Sequence, residues 1–363
     1  MNITELNEIR ENFTKELELA RSGKKTSLPF IENQLPSQPL VGDDKEFEVL
    51  VIGGSIFIKA ICIKERGQII ITGKQTGEKP RFDTEADLMA FAEKYIDPDI
   101  DHVALNFAYP LQPAFSGHKL DGVLIKGTKE NKFEGLQGKA VGECIEKHLF
   151  DRRKQKVTVS VANDTVCTLL SGISDAYSPE YLACGIVGTG VNFAFFTDTT
   201  HAINLESANF DKFTQSEYGK RIDEASQEPG AALFEKETSG GYLYQHFNLF
   251  AKDHGIGIEL PASRELDEYA QKCELGANAE GRLCEFASGL LDRSAALIAT
   301  QVAGITAYKK TDMSFIMAGS MFWKGWSYKE NVTRYVKRMI PEYDVTFISV
   351  NTCEIYGAAK LVA

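Results

Sequence analysis

The chain has 363 residues, too many for one compact core, so two domains are expected. Hydrophobic residues make up 43% and charged residues 25%, which excludes a disordered chain. A formal net charge of -11 argues against nucleic acid or an anionic membrane as partner, while leaving room for a local positive pocket that could take a phosphate.

Ile3, Leu6, Ile9, Phe13, Leu17 and Ala20 recur at steps of three and four, which predicts an amphipathic helix ended by Gly23. Its start carries charge and has no apolar run, so no signal peptide is expected. Ser27 to Asp44 reads as an extended connector. Three strands follow, Phe47–Ile52, Ser55–Ile63 and Gln68–Gly73, across the turns Gly53-Gly54 and Arg66-Gly67. Thr84 is placed to cap a helix reaching about Tyr95. Val103–Phe107 and Gly122–Ile125 read as short strands, and a helix is expected from Leu136 to Phe150. The β-branched run Val157–Val161 is a buried strand, with a helix opening at Asp164. Tyr181–Val187 and Asn192–Phe196 pair as strands across Gly188-Thr189-Gly190. Pro229 suits the first turn of a helix running to Gly240-Gly241. Glu280 to about Lys309 is one long helix or two, and its apolar stretch Ala295 to Ile305, broken by Thr300 and Gln301, is too short to span a bilayer. Phe315–Met317 and Val345–Val350 are strands, and a helix follows Cys353.

The seven cysteines are odd in number and none sits at C-x-x-C spacing. Reduced, buried thiols in a cytoplasmic protein are expected rather than zinc ligands or disulfides. No two of the six histidines fall at i, i+4, so no helical metal site is suggested.

A strand, a glycine turn and a second strand occur twice, at Gly53-Gly54-Ser55 and at Gly188-Thr189-Gly190. Backbone N–H groups in such a turn can cradle phosphate oxygens, although a plain hairpin is the commoner use of either turn alone. Two such units facing each other would make a cleft between lobes. Asn163-Asp164-Thr165 sits at the carboxyl end of an apolar strand, where open α/β sheets bind ligands. Taken singly, Asp164 reads first as a helix cap on Thr165 and beyond.

The chain carries, in order, Asn106-Phe107-Ala108-Tyr109-Pro110, Gly127-Thr128-Lys129, Asn163-Asp164-Thr165 and Gly188-Thr189-Gly190-Val191-Asn192. Then come Asn204-Leu205-Glu206, Asp223, Pro229-Gly230, Phe234-Glu235-Lys236, Ser239-Gly240-Gly241-Tyr242-Leu243 and Ala318-Gly319-Ser320. From about Pro39 to the C-terminus this series resembles the hexokinase family in order and spacing.

The resemblance implies an α/β fold of the two-lobed, actin-like (ribonuclease H-like) type, with mixed central sheets and a cleft between lobes. Residues 45–163 with the C-terminal helix 353–363 would form the small lobe, and 1–44 with 164–352 the large one. It implies ATP-dependent phosphorylation of a hexose, glucose first, with Mg2+ as the metal. Asp164 would be the general base and the protein's hold on magnesium, with Lys129 beside it in the catalytic set. Thr128, Lys129, Asn163, Asp164, Asn192, Glu206 and Glu235 would contact the sugar. Gly53, Gly54 and Ser55 would form the first phosphate loop and Gly188, Thr189 and Gly190 the second, with Gly319 and Ser320 against the adenosine. The preferred hexose and the oligomeric state, a homodimer included, stay open.

The chain departs from the family pattern in places. Val51 stands where the first loop has an aspartate that helps hold magnesium, and Ile56 and Ile58 stand for its asparagine and arginine. Ala108 replaces a sugar-contacting serine, and Glu354-Ile355-Tyr356-Gly357 lacks the usual serine–glycine turn. Valine offers a hard cation no oxygen. The rival reading is therefore a weak or inactive sugar-binding protein with a regulatory role. The retained Asp164, Lys129 and both glutamates favour the enzyme. An actin-like structural protein would share the glycine turns without the sugar motifs.

Overall fold

The computed structural model describes residues 1–127, 131–174, 177–274 and 281–363. The chain opens with α1 (Ile3–Arg21), capped by the Asn2 side chain on Glu5 N–H. β1 (Ile31–Gln34) follows inside the segment expected to be a bare connector. Then come β2 (Glu46–Ile52), β3 (Ile56–Glu65) and β4 (Gln68–Glu78), the last running well past Gly73. α2 (Glu85–Tyr95) starts on a capping box in which Thr84 and Asp87 exchange hydrogen bonds. β5 (His102–Phe107) precedes the ribbon β6 (Leu111–Ser116) and β7 (Lys119–Leu124). β6 lies outside the expected strands and contains Pro113, which is tolerated in a two-stranded ribbon.

α3 spans Val141–Arg153 and not Leu136 onward, because Gly135 and Gly138 have φ of 91° and 76° and keep that stretch a turn. β8 (Thr158–Ala162) leads into α4 (Asp164–Leu170), and then β9 (Leu182–Val187), β10 (Val191–Phe196) and β11 (His201–Asn204). α5 (Glu217–Ala225), α6 (Leu233–Thr238), α7 (Leu243–Asp253) and α8 (Arg264–Glu274) follow. Pro229 does not open a helix: Gly230 at φ 83° and Ala232 at φ 49° hold a turn, and α6 begins after it. α9 is a single helix, Gly281–Lys309. β12 (Met313–Ala318), α10 (Ser320–Lys324), α11 (Tyr328–Met339), β13 (Val345–Ile348) and α12 (Cys353–Ala359) complete the chain.

Among the described residues the strands form a sheet ordered β1-β11-β10-β9-β12-β13, a second ordered β4-β3-β2-β5-β8, and the β6-β7 ribbon. Both large sheets are mixed: β2 is antiparallel to β3 but parallel to β5, and β12 is parallel to β13 while β10 is antiparallel to β11. The chain divides into two compact units. One holds residues 1–30, 183–193 and 205–349, the other 31–182, 194–204 and 350–363.

In the first unit α9 is the buried spine, and α1, α8 and α11 pack on it. Gly304 lets α1 approach, since a Cβ there would lie 2.6 Å from Phe13. In the second unit, strand alternation gives the five-stranded sheet two apolar faces. Leu50, Ile52, Val103, Leu105, Val159 and Val161 form one core with Leu88, Phe91, Ile145 and Leu149 of α2 and α3. On the other face the rows Val49–Ala104–Ser160 and Val51–Asn106–Ala162 lie in register under α4 and α12. Small residues there let the helices come close. Gly357 has no room for a Cβ against the carbonyl of Cys167.

None of the six described cysteine side chains is in a disulfide. Among the described residues no helix is long and apolar enough to cross a membrane.

Candidate functional site

The first glycine turn joins β2 to β3. Gly53 N–H donates to the Ile56 carbonyl at 3.0 Å, closing the hairpin, and Lys79 N–H donates to Ser55 O at 2.9 Å, tying the end of β4 to the turn. None of the described hydrogen bonds uses the backbone N–H of Gly54 or Ser55. Beside them lies a cavity of about 650 Å³ lined by Gly54, Ser55, Ile56, Glu78, Lys79, Arg81 and Asn131. Lys79 Nζ donates to Asn131 Oδ1 at 2.9 Å, and Arg81 pairs with Asp83 at 2.8 Å. Two cations beside a glycine turn suit an anion. Sequence reading passed over both, although the run Lys79-Pro80-Arg81 was visible directly after the strand.

Asn163 and Asp164 stand at the end of β8. The helix cap is Asn163 and not Asp164: Asn163 Oδ1 accepts from Thr165 N–H at 3.0 Å, and Asp164 is the first helical residue. Asn163 Oδ1 also accepts from Asn204 Nδ2 at 3.4 Å, while its own Nδ2 donates one hydrogen to Tyr109 O at 3.3 Å. The described hydrogen bonds use only one of the two Nδ2 hydrogens. Asp164 is partly exposed, with the Thr165 hydroxyl donating to its Oδ1 at 3.3 Å. Thr128 and Lys129 lie outside the described residues.

Around the second glycine turn the structure gathers Asn192, Glu206 and Glu235. Glu235 Oε2 accepts from Val191 N–H at 3.1 Å and sits 2.9 Å from where a Cβ on Gly190 would be. Asn192 Oδ1 accepts from Ser207 N–H at 3.1 Å, which brings the residue after Glu206 against the start of β10. Glu206 holds φ 48° and ψ 47°, a left-handed conformation that costs a non-glycine residue about 1–2 kcal/mol. Such strain clusters at functional positions. Burial pushes the Tyr242 hydroxyl above its ordinary value, and the nearby Glu235 carboxylate adds to the effect.

The turn itself is stitched in place. Gly240 N–H donates to Gly188 O at 2.7 Å and Gly241 N–H to Thr189 O at 3.1 Å. Gly319, at φ 102°, abuts the Val187 carbonyl so closely that a side chain there would collide with it. Ser320 starts α10 next to it. Lys236 is buried at 3% exposure, not a surface neighbour of Glu235. Its ammonium donates to Asp223 at 2.5 Å, Ser226 Oγ at 2.9 Å and Glu228 O at 2.9 Å, pinning the Pro229 turn.

Val51 and Ile58, 7% and 5% exposed, are buried and offer no polar atom. Among the described residues no group of three or more His, Cys, Asp or Glu side chains could hold a metal ion. Near Val51, however, Asn106 is 1% exposed and its Oδ1 has no hydrogen-bond partner among the described residues. Asp164, partly exposed at the start of α4, is a carboxylate of the kind a hard cation takes.

The two mixed sheets match the α/β fold of solved hexokinase and ROK-family structures. The chain is similar to a solved hexokinase from Schistosoma mansoni complexed with glucose, with a TM-score of 0.81 at 20% identity over 100% of this chain and 95% of that one. It is also similar to a ROK hexokinase from Thermus thermophilus, with a TM-score of 0.59 at 14% identity over 88% and 98% of the two chains. Two sequence models, both described as hexokinase, match residues 1–174 and 183–253. The chain belongs to the hexokinase family. It is 26% identical over 284 residues to the hexokinase of Kluyveromyces lactis, covering 68% of this chain and 57% of that protein. With hexokinase-1 of Pongo abelii it shares 28% over 275 residues, 65% of this chain and 29% of that one. The match thus spans a little over half the length of the first relative and under a third of the second.

Proposed function

We propose that the chain is an ATP-dependent hexose kinase that transfers the γ-phosphoryl group to the primary hydroxyl of glucose or a related hexose. The observation that carries this reading is the assembly of Asn192, Glu206 and Glu235 around the start of β10, in a member of the hexokinase family. These residues hold sugar hydroxyls, and each fixed partner discriminates against a sugar lacking the matching hydroxyl, because a buried polar group would be left unpaired. Asn163, and Thr128 with Lys129, add further contacts. That a structural neighbour is a hexokinase complexed with glucose makes glucose the first sugar to test.

In the reaction Asp164 accepts the proton of the primary hydroxyl. The hydroxyl oxygen forms the new bond to γ-phosphorus as the bond from γ-phosphorus to the bridging oxygen breaks, and ADP leaves. The N–H groups of Gly54 and Ser55, and the turn Gly188-Thr189-Gly190, hold phosphate oxygens, and Gly319 with Ser320 flanks the adenosine. Magnesium, when bound with the nucleotide, would supply neutralisation of phosphate charge. Asp164 would hold it, directly or through water.

A second reading is favoured by Val51 and Ile58, whose burial leaves the first loop without the family's carboxylate and guanidinium. On that reading the chain binds hexose but transfers phosphoryl groups weakly or not at all. One experiment separates the two: a coupled assay with ATP and glucose beside a thermal-shift titration with glucose. Turnover with a glucose-dependent shift supports the kinase. A shift without turnover supports the sugar-binding protein, and neither response removes both.

A further inference from the structure

The chain carries a net charge of -11, so a site for a multiply charged anion needs cations close at hand. The strand that leaves the first glycine turn brings none to it. Ile56 and Ile58 are apolar, and Lys59, the first cation of β3, is committed elsewhere. Its Nζ donates to Tyr95 O at 2.7 Å and pairs with the buried Glu48 at 3.3 Å. The cations come instead from the end of β4. That strand runs antiparallel to β3 as far as the pair Ile56 and Glu78, and Lys79 N–H then donates to Ser55 O at 2.9 Å. This bond ties the segment Lys79-Pro80-Arg81 to the turn.

Both cations are held in place there. Lys79 Nζ donates to Asn131 Oδ1 at 2.9 Å and to Pro80 O at 3.0 Å, and lies 4.9 Å from the centre of the Phe82 ring. Asn131 is 5% exposed, and the same oxygen accepts from Phe82 N–H at 2.9 Å, which fixes its amide. Arg81 Nε donates to Asp83 Oδ1 at 2.8 Å. Asp83 N–H donates to Asp87 Oδ2 at 3.0 Å, so the arginine's partner is fastened to the first turn of α2. The described hydrogen bonds of the guanidinium use Nε alone, and the side chain is 54% exposed. Pro80 between the two cations fixes one backbone torsion. Groups held in this way lose little freedom on meeting a ligand, which favours binding. Lys79, Arg81 and Asn131 line, with Gly54, Ser55 and Glu78, the cavity of about 650 Å³, a size usual for a small-molecule site.

We propose that Lys79 and Arg81, with the N–H groups of Gly54 and Ser55, hold the terminal phosphates of a nucleoside triphosphate. The lysine acts as a point charge, and the guanidinium is a planar fork that takes two phosphate oxygens at once. The positive charge at this turn thus comes from the segment after β4 and not from β3. Glu78, in the same cavity wall, opposes an anion and lowers its affinity. The inference deepens the kinase reading and rests on it for the choice of a nucleotide.

The test is calorimetry of the full chain with ATP, with AMP and with glucose 6-phosphate, and separately with glucose. Lys79→Gln and Arg81→Gln should each weaken ATP binding by roughly tenfold, the loss typical of one charged hydrogen bond. Arg81→Lys should recover part of that loss, and Glu78→Gln should tighten ATP binding. AMP lacks the terminal phosphates, so its affinity should stay within about twofold of wild type in every variant, well below the loss of a charged bond. Equal losses for ATP and AMP would overturn the proposal, because a role in folding alone affects both. So would parental ATP affinity in both glutamine variants, a wild type that binds no ATP, or a loss confined to glucose 6-phosphate. A wild type that binds ATP but no glucose removes the kinase reading, while the comparison of ATP with AMP still decides the role of Lys79 and Arg81.

Discussion

The Glu235 carboxylate accepts a hydrogen bond from the backbone N–H of Val191 at 3.1 Å. A residue assigned to the sugar on grounds of motif thus also fastens the strand that leaves the second glycine turn. Its two duties can be separated. Glu235→Ala should weaken hexose binding by about 1–3 kcal/mol and also cost about 1 kcal/mol of stability, since it leaves the Val191 N–H unpaired.

Glu206 offers the cleaner dissection. Its left-handed backbone suits glycine better than glutamate. Glu206→Gly should hold its melting temperature near wild type while hexose affinity falls by about 1–3 kcal/mol. Calorimetry showing parental affinity in both the Glu206 and Glu235 variants would remove these residues from the sugar site.

Asp164 is tested by the isosteric amide. Asn163 caps α4, so Asp164→Asn leaves the cap intact and should leave the melting temperature unchanged. Phosphoryl transfer should be lost, whereas hexose binding should largely survive. Turnover at the parental rate would mean that another group takes the proton.

Gly319 carries a structural prediction. At φ 102° with the Val187 carbonyl against it, Gly319→Ala should cost at least about 2 kcal/mol, read as a lower denaturation midpoint. Gly53→Ala, whose Cβ would meet Ile56 O at 3.2 Å without positive φ, should cost less. Equal effects would contradict the described packing of the second turn.

Glu48 sets a pH dependence in the five-stranded sheet. It is fully buried beside Lys59 at 3.3 Å and accepts from Asp97 N–H at 3.1 Å, and one of its oxygens has no partner among the described residues. Burial lifts its carboxyl from 4.5 to about 7, against the opposing pull of the Asp97 N–H and Lys59. The folded state therefore holds the proton more tightly than the unfolded chain. The stability from this group is fully present below about pH 4.5 and is lost as pH rises through about 7. The loss is of order 3 kcal/mol at most. Urea titrations at pH 5 and pH 8 should show a smaller drop for Glu48→Gln than for wild type, and equal drops would reject this role for Glu48.

Local chemistry was legible in the sequence because its causes lie within a few residues. The periodicity of α1, the Thr84 cap, the two glycine turns and the position of Asn163-Asp164 after a β-branched strand all came from neighbours in the chain. The family motifs followed for the same reason. What depended on distant partners was hidden. β1 is a strand only because β11 supplies its ladder, with Ile31 opposite Asn204. Lys236 is buried because Asp223 and the Pro229 turn fold over it. Asn106 meets Glu354 only after the sheet and its covering helices have packed. Spacing and residue type fixed which groups were available and which turns were possible. Long-range pairing and burial, which no local window contains, decided which of those groups stand together and which are left with an unsatisfied oxygen.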